Sequence, residues 1–237
     1  MGGFRMTLAG RMKTALDVIS SIALVVAAAS LTWTLFFRNA PAQAGPPQQI
    51  TPVKGLHLDA GKITNVSGTG RIAIVEFSDF QCPFCASHAR DTLPTIRRDL
   101  VESGNVQYVA LHYPIEEIHP FALQASEASE CAGNQGRFWE MHERLFNESS
   151  AMTKADFVRH AEALSLDSGR FVQCLDSHET LDKIRADQAE GRRLGVRGTP
   201  AFFIGTVRGD GGIDLVTRIS GAAPAKVFAE QIDALGS

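Results

Sequence analysis

Ile72-Ala73-Ile74-Val75-Glu76-Phe77 is apolar throughout except at Glu76, the pattern of a central strand covered on both faces. From Pro83 to about Glu102 the spacing becomes helical, with Leu93, Ile96 and Leu100 on one face and Pro94 inside, where a kink is expected. Val106 to Tyr113 reads as a second strand, and strand, helix, strand is a right-handed crossover if the strands are parallel. Further on, Ala201-Phe202-Phe203-Ile204 forms a short strand with Pro200 at its start. Leu215 to Ile219 adds another after the turn at Asp210-Gly211-Gly212, and Pro224 to Leu235 closes the chain as a helix. With amphipathic stretches between the strand groups and no internal repeat, the pattern predicts an α/β domain.

The N-terminus has a different character. Met1 to Lys13 carries Arg5, Arg11 and Lys13 without an acid, and Val18 to Phe37 is an apolar run of about the ~20 residues that cross a bilayer. The basic flank predicts a cytoplasmic Met1 and an extracytoplasmic domain after Arg38. Ala42-Gln43-Ala44 has the form of a signal-peptidase site, so cleavage after Ala44 is the alternative; the length of the run and the position of Arg38 favour an uncleaved anchor. Pro41, Pro46, Pro47 and Pro52 mark an extended spacer. The expected organisation is residues 1–38 as cytoplasmic N-terminus and transmembrane signal-anchor, 39–52 as Pro-rich linker, and a folded part from near Val53.

The chain has 237 residues, 44% of them hydrophobic, enough for one sizeable core. A net charge of -3 gives no electrostatic support for nucleic-acid binding.

Cys82-Pro83-Phe84-Cys85 follows the first strand and opens the first helix. A cysteine at a helix N-terminus is held as thiolate by the helix dipole and free backbone N–H groups, and the thiolate is the attacking species in disulfide exchange. The spacing alone also fits half a zinc site or a short structural disulfide. His88, His112, His119, His142, His160 and His178 form no close pair, and no second Cys-X-X-Cys exists, which argues against zinc. His119 reads as a capping or packing residue, and Trp139, Met141 and Phe146 as helix core. Glu76, in an otherwise apolar strand, is a candidate proton carrier if buried, or a solvated edge residue. A cis Thr199-Pro200 bond would leave peptide groups free to pair with an extended substrate; an ordinary trans proline is the alternative.

Val75 to Cys85, Gln135 to His142 and Gly195 to Ile204 together resemble the DsbA-like thiol:disulfide oxidoreductases. The resemblance implies a thioredoxin fold, with residues 53–119 as its first part, 120–194 as an inserted helical domain and 195–237 as its second part. It implies Cys82 as the exposed nucleophile, Cys85 as the resolving thiol, Pro200 as a cis-proline facing the disulfide and Glu76 as a buried acid near Cys85. Pro83, Phe84, Thr199 and Pro200 are the candidate substrate contacts. Protein thiols would be the substrates, and a membrane reoxidase of the DsbB or vitamin K epoxide reductase-like type is implied by the family alone. No cofactor is required. Several oxidising members have histidine between the cysteines where this chain has Pro83-Phe84, so the direction stays open among oxidase, reductase and isomerase. A peptide-binding or chaperone module that does not turn over is the non-enzymatic alternative.

Cys131 and Cys174 remain. In an oxidising compartment their simplest reading is a structural disulfide stapling two helices of the insertion, the alternative being two buried thiols.

Overall fold

The computed structural model describes residues 48–150 and 152–236. The apolar run Val18 to Phe37 and the Ala42-Gln43-Ala44 motif lie outside the described residues. Among those described, no helix is long and apolar enough to cross a membrane.

The described strands are β1 (Gln49–Leu58), β2 (Val66–Ser67), β3 (Ile72–Ser78), β4 (Val106–His112), β5 (Ala201–Val207) and β6 (Ile213–Ser220). They form one sheet in the order β1-β6-β5-β3-β4-β2. The apolar run of β3 places it between parallel β4 and antiparallel β5. Alternate residues of β3 serve two cores, with Ala73, Val75 and Phe77 on one face and Ile74 on the other.

β1 begins at Gln49 and pairs with β6 from Gln49↔Ser220 onward, so residues 49–52, expected in the spacer, belong to the sheet. Proline is tolerated there because β1 is an edge strand, and the register shifts between Pro52 and Leu56.

Helix α1 spans residues 83–101 and crosses from β3 to β4. The kink expected at Pro94 takes the form of a widened turn over His88–Thr92, where the Leu93 N–H donates to the His88 carbonyl. Pro94 has no N–H to give and its ring crowds the carbonyl four residues back, which a wider turn relieves. A second widened turn covers Arg97–Val101.

Between β4 and β5 stand α2 (Ala122–Gly133), α3 (Phe138–Asn147), α4 (Lys154–Ala163), α5 (Ser168–Asp176) and α6 (Leu181–Arg193). A capping box of Thr153 and Asp156 starts α4. The inserted helices build their own core from Ala125, Ala128, Met141, Leu145, Phe146, Phe157 and Phe171, which also takes in Cys82 and Cys85. Gly191 lets α6 close on the sheet, since a Cβ there would lie 2.6 Å from the Tyr113 ring and 3.1 Å from Phe77. Helix α7 (Ala225–Gly236) covers the opposite sheet face through Phe228 and Ile232.

Candidate active site

Cys82 is the N-cap of α1 and Pro83 its first residue. Proline suits that position because its N–H would have no helical partner. The Cys82 N–H donates to the Asp79 carbonyl (3.1 Å), and the Cys82 carbonyl accepts from the Ala86 N–H (3.0 Å). Both thiols are free and largely buried, Cys82 at 5% exposure and Cys85 at 0%, whereas Phe84 between them is 40% exposed.

The Thr199-Pro200 peptide is cis, and the Cys82 thiol donates to the Thr199 carbonyl oxygen across 3.3 Å. Pro200 is buried and Thr199 half-buried at the start of β5. The Cys82 thiol is lowered to about 6, first by the hydrogen bond from Cys85, against the cost of burial, and further by Thr199 and the backbone N–H groups of Cys85 and Phe84. Thr199 Oγ1 has no hydrogen-bond partner among the described residues. Once Cys82 ionises, that hydroxyl is free to donate to the sulfur. Cys85 moves the other way: burial, then the Cys82 thiolate and Glu76, push it well above the ordinary thiol range. The two sulfurs are thus poised as one thiolate and one thiol.

Glu76 is 1% exposed. Burial lifts its carboxyl to about 7, against a lowering hydrogen bond from Tyr108, whose hydroxyl donates to Glu76 Oε2 at 2.6 Å. The edge-strand reading of Glu76 is thereby excluded, because β3 lies inside the sheet.

The loop before Cys82 is tied to the loop after β4. Asp79 is fully buried; its Oδ1 accepts from the Gln81 N–H (2.8 Å), and its Oδ2 from the Ile115 N–H (2.7 Å) and faces His119 Nδ1 (2.8 Å). The Phe121 N–H donates to Gln81 Oε1 at 2.5 Å. His119, expected to cap or pack, instead anchors a loop to Asp79. Ile118 and Phe121, both exposed, stand on that anchored loop, which the Phe121 N–H ties to Gln81, the residue before Cys82.

Beneath the insertion, Glu130 of α2 meets Asn65 Nδ2 (2.6 Å), His112 Nε2 (2.7 Å) and Lys183 Nζ (2.5 Å). Burial alone would raise its carboxyl, but His112 and Lys183 outweigh that and hold it at about 2. Asp187 accepts the His112 N–H at 3.1 Å, so buried polar contacts fasten α2 and α6 to the end of β4. Cys131 of α2 and Cys174 of α5 are joined by a disulfide with Cα atoms 5.8 Å apart. Trp139 lies under the Arg97 guanidinium, 4.4 Å from its ring centroid, while Met141 and Phe146 are core. Among the described residues no group of His, Cys, Asp and Glu is arranged to hold a metal ion.

A free cysteine capping a helix, with a buried second thiol and a buried carboxyl, on a sheet that carries a helical insertion, defines a thioredoxin-like class of protein. The thioredoxin family model matches residues 70–215, more than half of the chain, and the chain belongs to that family. Two solved structures share the fold. BdbD from Bacillus subtilis, oxidised, superposes with a TM-score of 0.62 at 20% identity over 77% of this chain and 97% of that one. For α-DsbA1 from Wolbachia pipientis the TM-score is 0.60 at 22% identity, covering 72% and 89%. Among curated sequences, the Na(+)/H(+) antiporter NhaA 3 of Salinispora tropica is 38% identical over 133 residues, which are 56% of this chain and 20% of the antiporter. The NhaA 1 antiporter of Salinispora arenicola is 36% identical over 144 residues, 61% of this chain and 22% of the antiporter. The chain thus spans about a fifth of these relatives' length.

Tyr108, Asp79 and Phe121 carry no strong signal in the sequence, and His88 is one of several dispersed histidines. A two-residue period would have put Tyr108 on one face with Ala110, which pairs with Glu76, and His88 follows Cys85 by about one helical turn.

Proposed function

We propose that this chain is a protein thiol:disulfide oxidoreductase that forms disulfide bonds in exported proteins through Cys82-Pro83-Phe84-Cys85. The observation that carries this reading is a free Cys82 at the N-cap of α1, its sulfur 3.3 Å from the Thr199 carbonyl, with Cys85 fully buried behind it, an arrangement that lowers the Cys82 thiol and raises that of Cys85. A stabilised thiolate favours the reduced enzyme, which makes its disulfide an oxidant.

In the forward direction a substrate thiolate attacks Cys82 of the Cys82–Cys85 disulfide. A mixed substrate–Cys82 disulfide forms, and Cys85 leaves as a thiolate and takes up a proton, for which Glu76 is the candidate donor. A second substrate thiolate attacks the substrate sulfur of the mixed disulfide and expels Cys82. The substrate has lost two electrons, which the enzyme now holds as its dithiol. Backbone at Thr199-Pro200, beside Cys82, would pair with an extended peptide, and Pro83, Phe84, Ile118 and Phe121 supply apolar contact. Reoxidation reverses the exchange with a disulfide on a membrane partner of the DsbB or vitamin K epoxide reductase-like type. The domain would act outside the cytoplasm, tethered by residues 1–38 or released after Ala44.

The test is oxidation of a reduced dithiol peptide by stoichiometric oxidised protein. Wild type should convert the peptide and Cys82→Ser should not. Conversion by Cys82→Ser at the wild-type rate overturns the reading, as does a wild type that only reduces.

A further inference from the structure

Glu76 is the end of a buried chain of hydrogen bonds. Tyr108 OH donates to Glu76 Oε2 at 2.6 Å, and His88 Nε2 lies 2.9 Å from the Tyr108 oxygen. A phenol has one proton to donate, and Tyr108 spends it on Glu76, so the Tyr108 oxygen must be the acceptor and His88 Nε2 must carry hydrogen. The order is therefore His88 Nε2–H to Tyr108 O–H to Glu76 Oε2. Glu76 Oε1 and His88 Nδ1 make no hydrogen bond of good geometry among the described residues; the Ser78 hydroxyl is the nearby donor that favours the ionised forms of both Glu76 and Cys85.

All three residues are sealed from water, with exposures of 1% for Glu76 and 0% for Tyr108 and His88. His88 is walled by rings, its centroid 4.5 Å from Phe202 and 5.7 Å from Phe228. Burial lowers its imidazole to about 3, so it stays neutral and keeps one ring proton. Glu76 faces Cys82 and Cys85 from α1, Tyr108 from β4 and the Ser78 hydroxyl from its own strand, while Tyr108 in turn faces His88 and Arg97 from α1. β5 and α7 bring Phe202, Ile204 and Phe228 to this core, and α3 brings His142 toward His88 and Arg97.

We propose that His88 and Tyr108 are positioning residues that hold Glu76 Oε2 and leave the other carboxyl oxygen, Oε1, to exchange a proton with Cys85. The proposal rests on the disulfide-exchange reading above. A hydrogen bond accepted by the Tyr108 oxygen from His88 Nε2–H polarises the phenol and strengthens its bond to Glu76. The bond favours the carboxylate, the form that can take a proton. When Cys82 is in a mixed disulfide, Cys85 Sγ–H passes its proton to Glu76 Oε1. Its electron pair attacks Cys82 Sγ, the Cys82–Cys85 bond forms, the mixed disulfide breaks, and the partner sulfur leaves as thiolate. When the internal disulfide opens, the same proton returns to Cys85.

The experiment follows reaction of the reduced full chain with oxidised glutathione, acid-quenched and resolved by mass spectrometry into the glutathionylated intermediate and the internal disulfide. Resolution of the intermediate is measured against pH for wild type, Tyr108→Phe, His88→Leu and His88→Gln, whose amide N–H can replace the donor. Tyr108→Phe should move the resolution profile to higher pH and slow it about tenfold at neutrality, with formation of the intermediate unchanged. His88→Leu should shift it the same way by less, and His88→Gln should restore it. An unshifted profile in both Tyr108→Phe and His88→Leu, or equal slowing of both steps, overturns the proposal. If Tyr108→Phe does not fold, the His88 pair decides alone. If wild type forms no internal disulfide, the exchange reading has failed, and the infrared carboxyl stretch of Glu76 then decides: its titration should move upward in His88→Leu, and an unmoved titration overturns the chain.

Discussion

Cys82 Sγ lies 3.3 Å from the carbonyl oxygen of Thr199, although 117 residues of chain separate them. The contact joins the first turn of α1 to the residue pair that opens β5. As a thiol, Cys82 donates to that carbonyl; as a thiolate it cannot, and the Thr199 hydroxyl becomes the group positioned to donate. One residue therefore serves both protonation states of the sulfur, through different atoms.

Thr199→Val removes the hydroxyl at nearly constant volume. The pH dependence of Cys82 alkylation in the reduced protein should show an inflection at about 6 in wild type. The variant should move it upward by roughly half to one pH unit, the worth of one modest hydrogen bond to a charged group. An unmoved inflection would assign the thiolate to Cys85 and the helix N-terminus alone.

Glu76→Gln should change the pH dependence of stability. The folded carboxyl is raised from 4.5 to about 7, so the native state holds its proton more tightly than the unfolded chain does. Native stability is then fully present below about 4.5 and declines as pH rises to about 7. Above that, the ionised buried carboxylate costs about 3 kcal/mol. Denaturant unfolding of the reduced protein should find Glu76→Gln more stable than wild type at alkaline pH and nearly equal to it at acidic pH. A difference independent of pH would contradict this.

Asp79→Ala strips acceptors from the Gln81 and Ile115 N–H groups and from His119. Loss should be about 2 to 4 kcal/mol, because buried donors are left without partners. His119→Ala, which leaves both backbone bonds in place, should cost less. Amide exchange at Ile115 should accelerate in the first variant far more than in the second; equal acceleration would show that the imidazole is the anchor.

Replacing Cys131 and Cys174 together by alanine opens a loop of sequence separation 43, for which the chain-entropy estimate is about 4 kcal/mol. Thermal unfolding should drop accordingly, while peptide oxidation below the transition should match wild type. Lost oxidation in a folded variant would tie this disulfide to the chemistry.

What the sequence disclosed depended on how local each signal is. Cys82-Pro83-Phe84-Cys85 is contiguous, Glu76 stands out as an acid in an apolar run, and Pro200 opens the strand Ala201 to Ile204. The continuous apolarity of Ile72 to Phe77, broken only at Glu76, suffices to identify a strand buried on both faces. The chain from His88 through Tyr108 to Glu76 was not legible, because it needs the parallel register that sets Glu76 opposite Ala110 and the rotation of α1 above it. The Asp79 and His119 contact spans 40 residues and two loops, for which periodicity offers no signal. The start of β1 was missed since Pro52 reads locally as a spacer, and only pairing with β6 reveals an edge strand that tolerates it. Pro94 announced a distortion in α1 without its form.

The most direct measurement is the reduction potential of the Cys82–Cys85 pair, obtained by equilibrating the protein in glutathione buffers and counting free thiols. Stabilisation of the Cys82 thiolate predicts an oxidising pair, with a potential less negative than about −200 mV. A value near about −270 mV or below, in the range of thioredoxin itself, would contradict the oxidase and make this chain a reductase.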